Sequence, residues 1–464
     1  MAAHEQVADF DRLAALWAWL SSWIAADGGV GGPIVHRGDL KRLVAVHDTP
    51  WTQEAVIQGL LELYRRSGAD YWLNAALRLG DAQCARQRSD SSFRWAGHED
   101  DRFSSLVHNA LADCALLDLA AVLRDRSDAE RRRRYLSTAE RNLDEYVIGV
   151  LYRPALQGFA MNVPDHYAGR DRFIVNMNSI AIEALVKLDQ QRGHDRHAPL
   201  IRRVGQRILS LQSQKGAAKG GLPYSDLEPE THVPLYTALA LRGLRSLSDV
   251  DRDLNCARLA GDAVAFLGRL EDRDTGLWYH KLEGEKLHRF PIFVAGAGII
   301  CNGLFEAALL TGTELDTDAL ARRLLRFQYR HGPIRNFIGY DHPDNGRPRG
   351  RRQDCWEDVY PTPNWNAQAF RFLCRVLPPP ERPVRDDRSF GGGRSRRYIY
   401  METRQVSMVA AAFPLRSAVL AVFLKRWRYA LVVPNPYAVV GAVAKVLMRV
   451  SWSRAALRRL RRLR

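Results

Sequence analysis

The sequence predicts an all-α protein: an (α/α)6 toroid of six helical hairpins over residues 1–380, a linker at 381–398 and a basic C-terminal helical extension at 399–464. Three observations predict it. A short motif recurs six times, helical segments of two kinds alternate in step with it, and the composition changes sharply after residue 380.

The motif is a usually polar residue, then Gly or Ala, Leu or Phe, two variable residues and an apolar one. It occurs as Gln58-Gly59-Leu60-Leu61-Glu62-Leu63, Cys114-Ala115-Leu116-Leu117-Asp118-Leu119 and Glu183-Ala184-Leu185-Val186-Lys187-Leu188. It returns as Arg242-Gly243-Leu244-Arg245-Ser246-Leu247, Asn302-Gly303-Leu304-Phe305-Glu306-Ala307 and Gln368-Ala369-Phe370-Arg371-Phe372-Leu373. The small residues are separated by 56, 69, 59, 60 and 66 residues, room for two helices and two loops.

The first hairpin pairs an amphipathic segment at about 5–25 with an apolar one opened by Thr49-Pro50-Trp51. There Thr reads as an N-cap and Pro occupies the first turn, where its missing N–H costs nothing. In the second, 69–87 precedes the segment holding Ala115. In the third, YLSTAERNLDEYV (135–147), within an outer segment at 128–147, shows one apolar stripe and one solvated face before the Ala184 segment. The fourth sets 196–214 before a segment opened by Pro234, and the fifth sets 252–270 before one opened by Pro291. The apolar run at 293–310 is interrupted by Asn302 and Glu306 and is short for a membrane span, so it reads as a buried core helix. The sixth pairs 315–329 with a segment opened by Thr362-Pro363 and followed by Trp365. Gly158-Phe159, Gly221-Leu222, Gly276-Leu277 and Gly332-Pro333-Ile334 mark turns after the outer segments.

The alternation also fits an open solenoid or two helical bundles. A closed ring is preferred because the hairpins number six and the first and last share the Thr-Pro start with a nearby Trp; closure buries every inner helix with no end to cap. Six hairpins of this length, with aromatic-rich loops before the inner helices, resemble the six-hairpin glycosidase-like toroids. That superfamily holds glycoside hydrolases, polysaccharide lyases and sugar epimerases; terpenoid cyclases share the double-ring idea. The resemblance spans about residues 5–380 and is architectural, so it implies a fold and transfers no catalytic residue.

In such a ring the loops leading into the inner helices gather at one end. Each brings acids or amides together with aromatics, the mixture that stacks on sugar C–H faces and bonds sugar hydroxyls. The expected catalytic carboxylates are Asp101, Asp226, Glu357 and Asp358, and a pair across a cleft would supply acid/base hydrolysis. The expected substrate-binding residues are Trp51, Trp95, His98, Tyr167, Tyr224, His232, Trp278, His280, Trp356, Tyr360 and Trp365. Trp356-Glu357-Asp358 is the sharpest candidate, two acids beside a bulky aromatic just before an inner helix. Other positions have structural readings. Asp48 stands beside the Thr49 cap, His98-Glu99-Asp100-Asp101 suits a helix start, and His232 and His288 suit a core. A lyase or epimerase would instead use Tyr, His or Glu to move a proton beside a carboxylate.

No cofactor or metal is expected. Six scattered cysteines form no C-x-x-C pair, and no phosphate loop, nucleophile elbow or D-D-x-x-D motif is present. The net charge of +16 belongs to the tail: residues 381–464 hold 19 basic residues and 4 acids, the other 380 are nearly balanced, and beyond Glu402 there are 13 basic residues and no acid. No nucleic-acid partner is therefore expected. Basic residues interleaved with Trp427, Tyr429, Tyr437 and Trp452 suit an anionic membrane surface instead. The acid-bearing N-terminus MAAHEQVADFDRL does not read as a secretory signal. The sequence thus predicts a carbohydrate-active, glycoside hydrolase-like protein at the inner membrane face, acting on surface polysaccharide or lipid-linked glycan. The alternatives are a silent scaffold, a glycan binder or a terpenoid-cyclase-like enzyme.

Overall fold

The computed structural model describes residues 2–24, 28–35, 43–47, 50–93, 104–162, 171–329, 332–340, 361–380, 399–403 and 406–410. The chain forms two compact units, one of residues 1–32 and 47–389 and one of 33–46 and 390–464.

Twelve α-helices of the first unit are described. The inner ones are α2 (Pro50–Ser67), α4 (Leu106–Val122), α6 (Val175–Arg192), α8 (Pro234–Val250), α10 (Ala297–Thr311) and α12 (Pro363–Val376). Each packs on the next, and α12 packs back on α2, so the ring closes. The outer ones are α1 (Ala2–Ser21), α3 (Asp70–Ala85), α5 (Ala129–Arg141), α7 (Ala198–Ser210), α9 (Cys256–Arg269) and α11 (Thr317–Leu325). From α3 onward each outer helix lies against two successive inner ones, and α1 lies against α12. The fold is an (α/α)6 toroid.

Burial separates the two kinds of helix as their composition does. On α9 the buried set is Cys256, Leu259, Ala260, Ala263, Phe266 and Leu267, one stripe at helical spacing. On α4 burial runs almost all round, from Leu106 to Ala120. The small residues of the repeat let inner helices approach. A Cβ at Gly59 would come within 2.7 Å of the Phe370 ring, and one at Gly243 or Gly303 would strike the backbone of Ser179 or Ala238. The motif is a packing code for the ring.

Helix starts follow local chemistry. Pro50, Pro234 and Pro363 open α2, α8 and α12 as expected. Pro291 does not open α10. It follows Phe290 through a cis peptide and leads into a short strand at Ile292–Phe293, and the helix begins at Ala297. Thr362 occupies the N-cap of α12 without capping it: its hydroxyl is donated to Asn336 Oδ1 instead. Side-chain caps do occur on outer helices, where Asp128, Asn255 and Asp316 accept from the N–H three residues on.

Short strands lie in the connections: β3 (Tyr152–Arg153) pairs with β4 (Gly158–Phe159), and β5 (Thr231–His232), β6 (Lys281–Glu283) and β7 (Lys286–His288) form a small sheet. β8 (Ile292–Phe293) pairs with β9 (Phe337–Ile338).

β1 (Gly31–Val35) pairs with β2 (Leu43–His47), and in the second unit β10 (Ile399–Thr403) pairs antiparallel with β11 (Val406–Ala410). The start of the 399–464 segment is therefore a hairpin and not the expected helix. Ile399, Tyr400, Thr403, Val406 and Val409 are β-formers, which accounts for it. The tail's 13 basic residues lie outside the described residues. No described helix is long and apolar enough to cross a membrane.

Candidate active site

Glu183, Arg242 and Arg371 are each the ninth residue of their helices, α6, α8 and α12, and they meet around Glu54 of α2. Contacts early in the helices (Ser179 Oγ to Ala240 O, Asn302 to Gln368 O) and late in them (Lys187 to Asp118, Arg66 to Cys374 O) stay in step, so the helices run parallel and the inner N-termini share one end of the ring. Backbone bonds join the leading loops at that end in order. Leu106 N donates to Met161 O, Val175 N to Tyr224 O, and Gly284 N to Glu230 O, while β8 and β9 join the fifth and sixth loops. This end is the mouth.

A polar side chain in the first turn of several inner helices grips the loop behind it. Asn178 accepts from Phe159 N at 2.7 Å and donates to Phe159 O at 2.9 Å. Asn366 does the same with Ile334, and Thr237 exchanges both bonds with Leu222. Asn109 accepts from Phe93 N, and Ser104 donates to Phe93 O. The Gly-aromatic and Gly-apolar turns are thus fixed by amide or hydroxyl clamps, each worth about 1 kcal/mol per bond and more if one partner were left alone in the core.

Aromatic rings from two helix starts and two loops meet at the mouth. Trp365 lies edge-on to Trp51 (6.3 Å between centroids), Phe293 (5.1 Å) and Phe337 (6.2 Å). Phe337 continues to Tyr340 at 5.1 Å, and His280 stacks on Phe293 at 5.6 Å with an interplanar angle of 11°. Trp51, Trp365 and His280 are half-buried, so the platform is supported from behind and open in part.

Below it, all six inner helices send charged groups to the axis. Arg242 bonds Glu183 through Nε and Nη2 (2.8 and 2.9 Å) and Glu54 through Nη2 (2.8 Å). Lys187 bridges Asp118 (2.6 Å) and Glu183 (2.9 Å), Gln58 donates to Asp118, Arg371 bonds Glu54 (3.0 Å), and Arg375 pairs with Glu306 (2.7 Å). Burial by itself would raise the Glu183 carboxyl, but Arg242 and Lys187 hold it well below the usual range. Burial would lower Lys187, and Asp118 and Glu183 raise it. Arg371 is pushed down to about 10, by burial first and then by Arg242.

The other expected site residues divide. Asp226 accepts from Phe173 N at 3.1 Å and lies 3.9 Å from Arg207, so its carboxylate takes part in joining the third and fourth loops. Tyr224 packs at 5.4 Å on Tyr236. His232 is buried between Ser213 Oγ (2.8 Å) and the Glu230 carbonyl (3.3 Å), and burial pushes its pKa down. Trp278 is buried in the turn after α9, 4 % exposed. Trp95, His98, Asp101, Tyr167, Trp356, Glu357, Asp358 and Tyr360 lie outside the described residues. No group of three metal-ligating side chains occurs among the described residues. Sequence reasoning missed Phe293, Phe337 and the axial charges. The signal for the latter was the polar residue just before each small one, which supplies Gln58, Glu183 and Arg242.

Solved structures share this architecture. A D-mannose isomerase matches with a TM-score of 0.57 at 10% identity, over 80% of this chain and 97% of that one. What the two share is the (α/α)6 toroid fold. A cellobiose 2-epimerase from Bacillus thermoamylovorans matches at 0.56 and 12% identity, over 79% of this chain and 99% of that one. An unsaturated glucuronyl hydrolase specific for heparin matches at 0.54 and 11% identity, over 79% and 95%. No protein-family profile and no curated protein sequence matches the chain.

Proposed function

We propose that this protein is a carbohydrate-active enzyme that binds its sugar at the mouth of the toroid. The platform of Trp51, Trp365 and Phe293, backed by the buried Phe337 and beside His280, carries this reading, since half-buried aromatic faces over buried polar groups suit a ligand with one C–H face and many hydroxyls. Similarity to a mannose isomerase, a cellobiose epimerase and a glucuronyl hydrolase supports the same class. The reaction assigned is glycoside hydrolysis by paired carboxylates drawn from Asp101, Asp226, Glu357 and Asp358; elimination and epimerisation are the competing outcomes. The acid-free basic tail supports a place at the inner membrane face, in surface-polysaccharide or lipid-linked glycan metabolism.

The test is to incubate the full chain with mannose, cellobiose and glucuronyl disaccharides and follow products by NMR, which separates hydrolysis, elimination and epimerisation. D101N, D226N and E357Q should each lower the rate. If all three keep full activity, the catalytic assignment fails; if no sugar binds or reacts, the carbohydrate reading fails. Full-length chain should also bind phosphatidylserine vesicles and be released by salt, and binding equal to that on neutral phosphatidylcholine vesicles would remove the membrane assignment.

A further inference from the structure

We propose that the ligand of this site is a sugar bearing a carboxylate, and that Arg371 is the residue that binds that group. The proposal rests on the carbohydrate reading above. It starts from the unequal way the axial cations are served. Arg242 makes three bonds to two carboxylates, and Lys187 touches two carboxylates. Among the described residues Arg371 has one bond, to Glu54 Oε1, and shares that oxygen with Arg242.

The Arg371 side chain is 4% exposed. Its Nε–H is buried with no acceptor among the described residues. A guanidinium carries five N–H donors in a planar fork, and a carboxylate, planar itself, satisfies two of them at once. A neutral hydroxyl would take one.

The approach from the mouth is also polar. Helical side chains lean toward the helix N-terminus, so Arg371 reaches toward the mouth. Two turns nearer the mouth on the same face stands Asn364, and Asn176 holds the equivalent place above Glu183 on α6. Both amide oxygens are buried without a donor among the described residues. They are placed to accept from ligand hydroxyls, and Trp365 adjoins Asn364 in the platform. The arrangement suits a uronic acid with its ring beneath the indoles and its carboxylate on Arg371.

The experiment is a titration of the full chain, read by tryptophan fluorescence, with D-glucuronate, D-glucuronamide and D-glucose. The first two differ only in one group, an anionic carboxylate against a neutral amide. The wild type should bind glucuronate at least tenfold more tightly than glucuronamide, and the ratio should fall to near one in Arg371→Gln. Arg371→Lys keeps the charge but loses the fork and should give an intermediate ratio; it also serves if the Gln variant does not fold. Neutral sugars bound as tightly as glucuronate by the wild type would overturn this inference and leave the carbohydrate reading standing. A preference that persists undiminished in both variants would overturn the role of Arg371. Failure of all three sugars to bind would overturn both.

Discussion

Arg242 and Glu183, on neighbouring inner helices, form a two-pronged ion pair at 2.8 and 2.9 Å, with side-chain exposures of only 4% and 6%. Planar fork against planar carboxylate fixes the rotation of α8 relative to α6. Through Glu54 the same arginine reaches α2 across the ring. Such a pair is costly to desolvate, so its worth lies in what happens when one half is removed.

Arg242→Met should destabilise the protein by about 3–5 kcal/mol, because it strands Glu183 and half of Glu54. Urea unfolding checks this. A loss below about 1 kcal/mol would mean that the network relaxes or hydrates freely.

Two glycines in helices should respond in opposite directions. Gly243→Ala places a methyl against the Ser179 backbone and should cost about 1–3 kcal/mol. Gly261→Ala, on the exposed face of α9, meets nothing within 4 Å and should gain up to about 1 kcal/mol from helix propensity. Thermal melts of the two variants side by side settle the matter.

Asn178→Ala should cost about 1–3 kcal/mol, since both backbone groups of Phe159 lose their partner in a buried place. Hydrogen exchange should show faster opening at Phe159 in particular. A uniform change across the chain would argue against a local clamp.

Two buried groups on α4 should tilt the pH profile in opposite senses. Burial pushes His108 down to about 3, so the unfolded chain takes up its proton first and stability is lost as pH falls below about 6.5. Burial raises Asp113 well above its ordinary value, so the folded chain holds that proton and stability is lost as pH rises above about 4. Each contributes a slope of about 1.4 kcal/mol per pH unit in its window. Urea midpoints between pH 4.5 and 6.5 should therefore rise less with pH in His108→Gln than in wild type and more in Asp113→Asn. Identical slopes in all three proteins would refute the assignment.

Much of the fold was legible because it is written in local terms. Gly59, Gly243 and Gly303 announce close helix contacts, a stripe such as Leu259, Ala263 and Phe266 announces an outer helix, and Pro50, Pro234 and Pro363 announce helix starts. Pro291 misled because a proline before an apolar run serves a strand as readily as a helix, and only the pairing of Ile292–Phe293 with Phe337–Ile338 decides between them. The hairpin at 399–410 was missed for a related reason: β-forming residues were read through the charge of the tail that follows.

The candidate site was legible in part. Trp51, Trp365 and His280 do gather at the mouth, while Asp226, His232 and Trp278 have partners or burial within the rim that composition does not reveal. Asn178, an amide at the start of the third inner helix, holds the Phe159 backbone instead.

The sequence by itself determined that twelve helices would alternate between buried and half-buried, because helical period and residue size act over a few residues. Only the tertiary structure decided that Glu54, Glu183, Arg242 and Arg371 would share one axis and that Trp51 would meet Trp365. These are contacts between residues as much as 317 positions apart, and they exist only once the ring has closed.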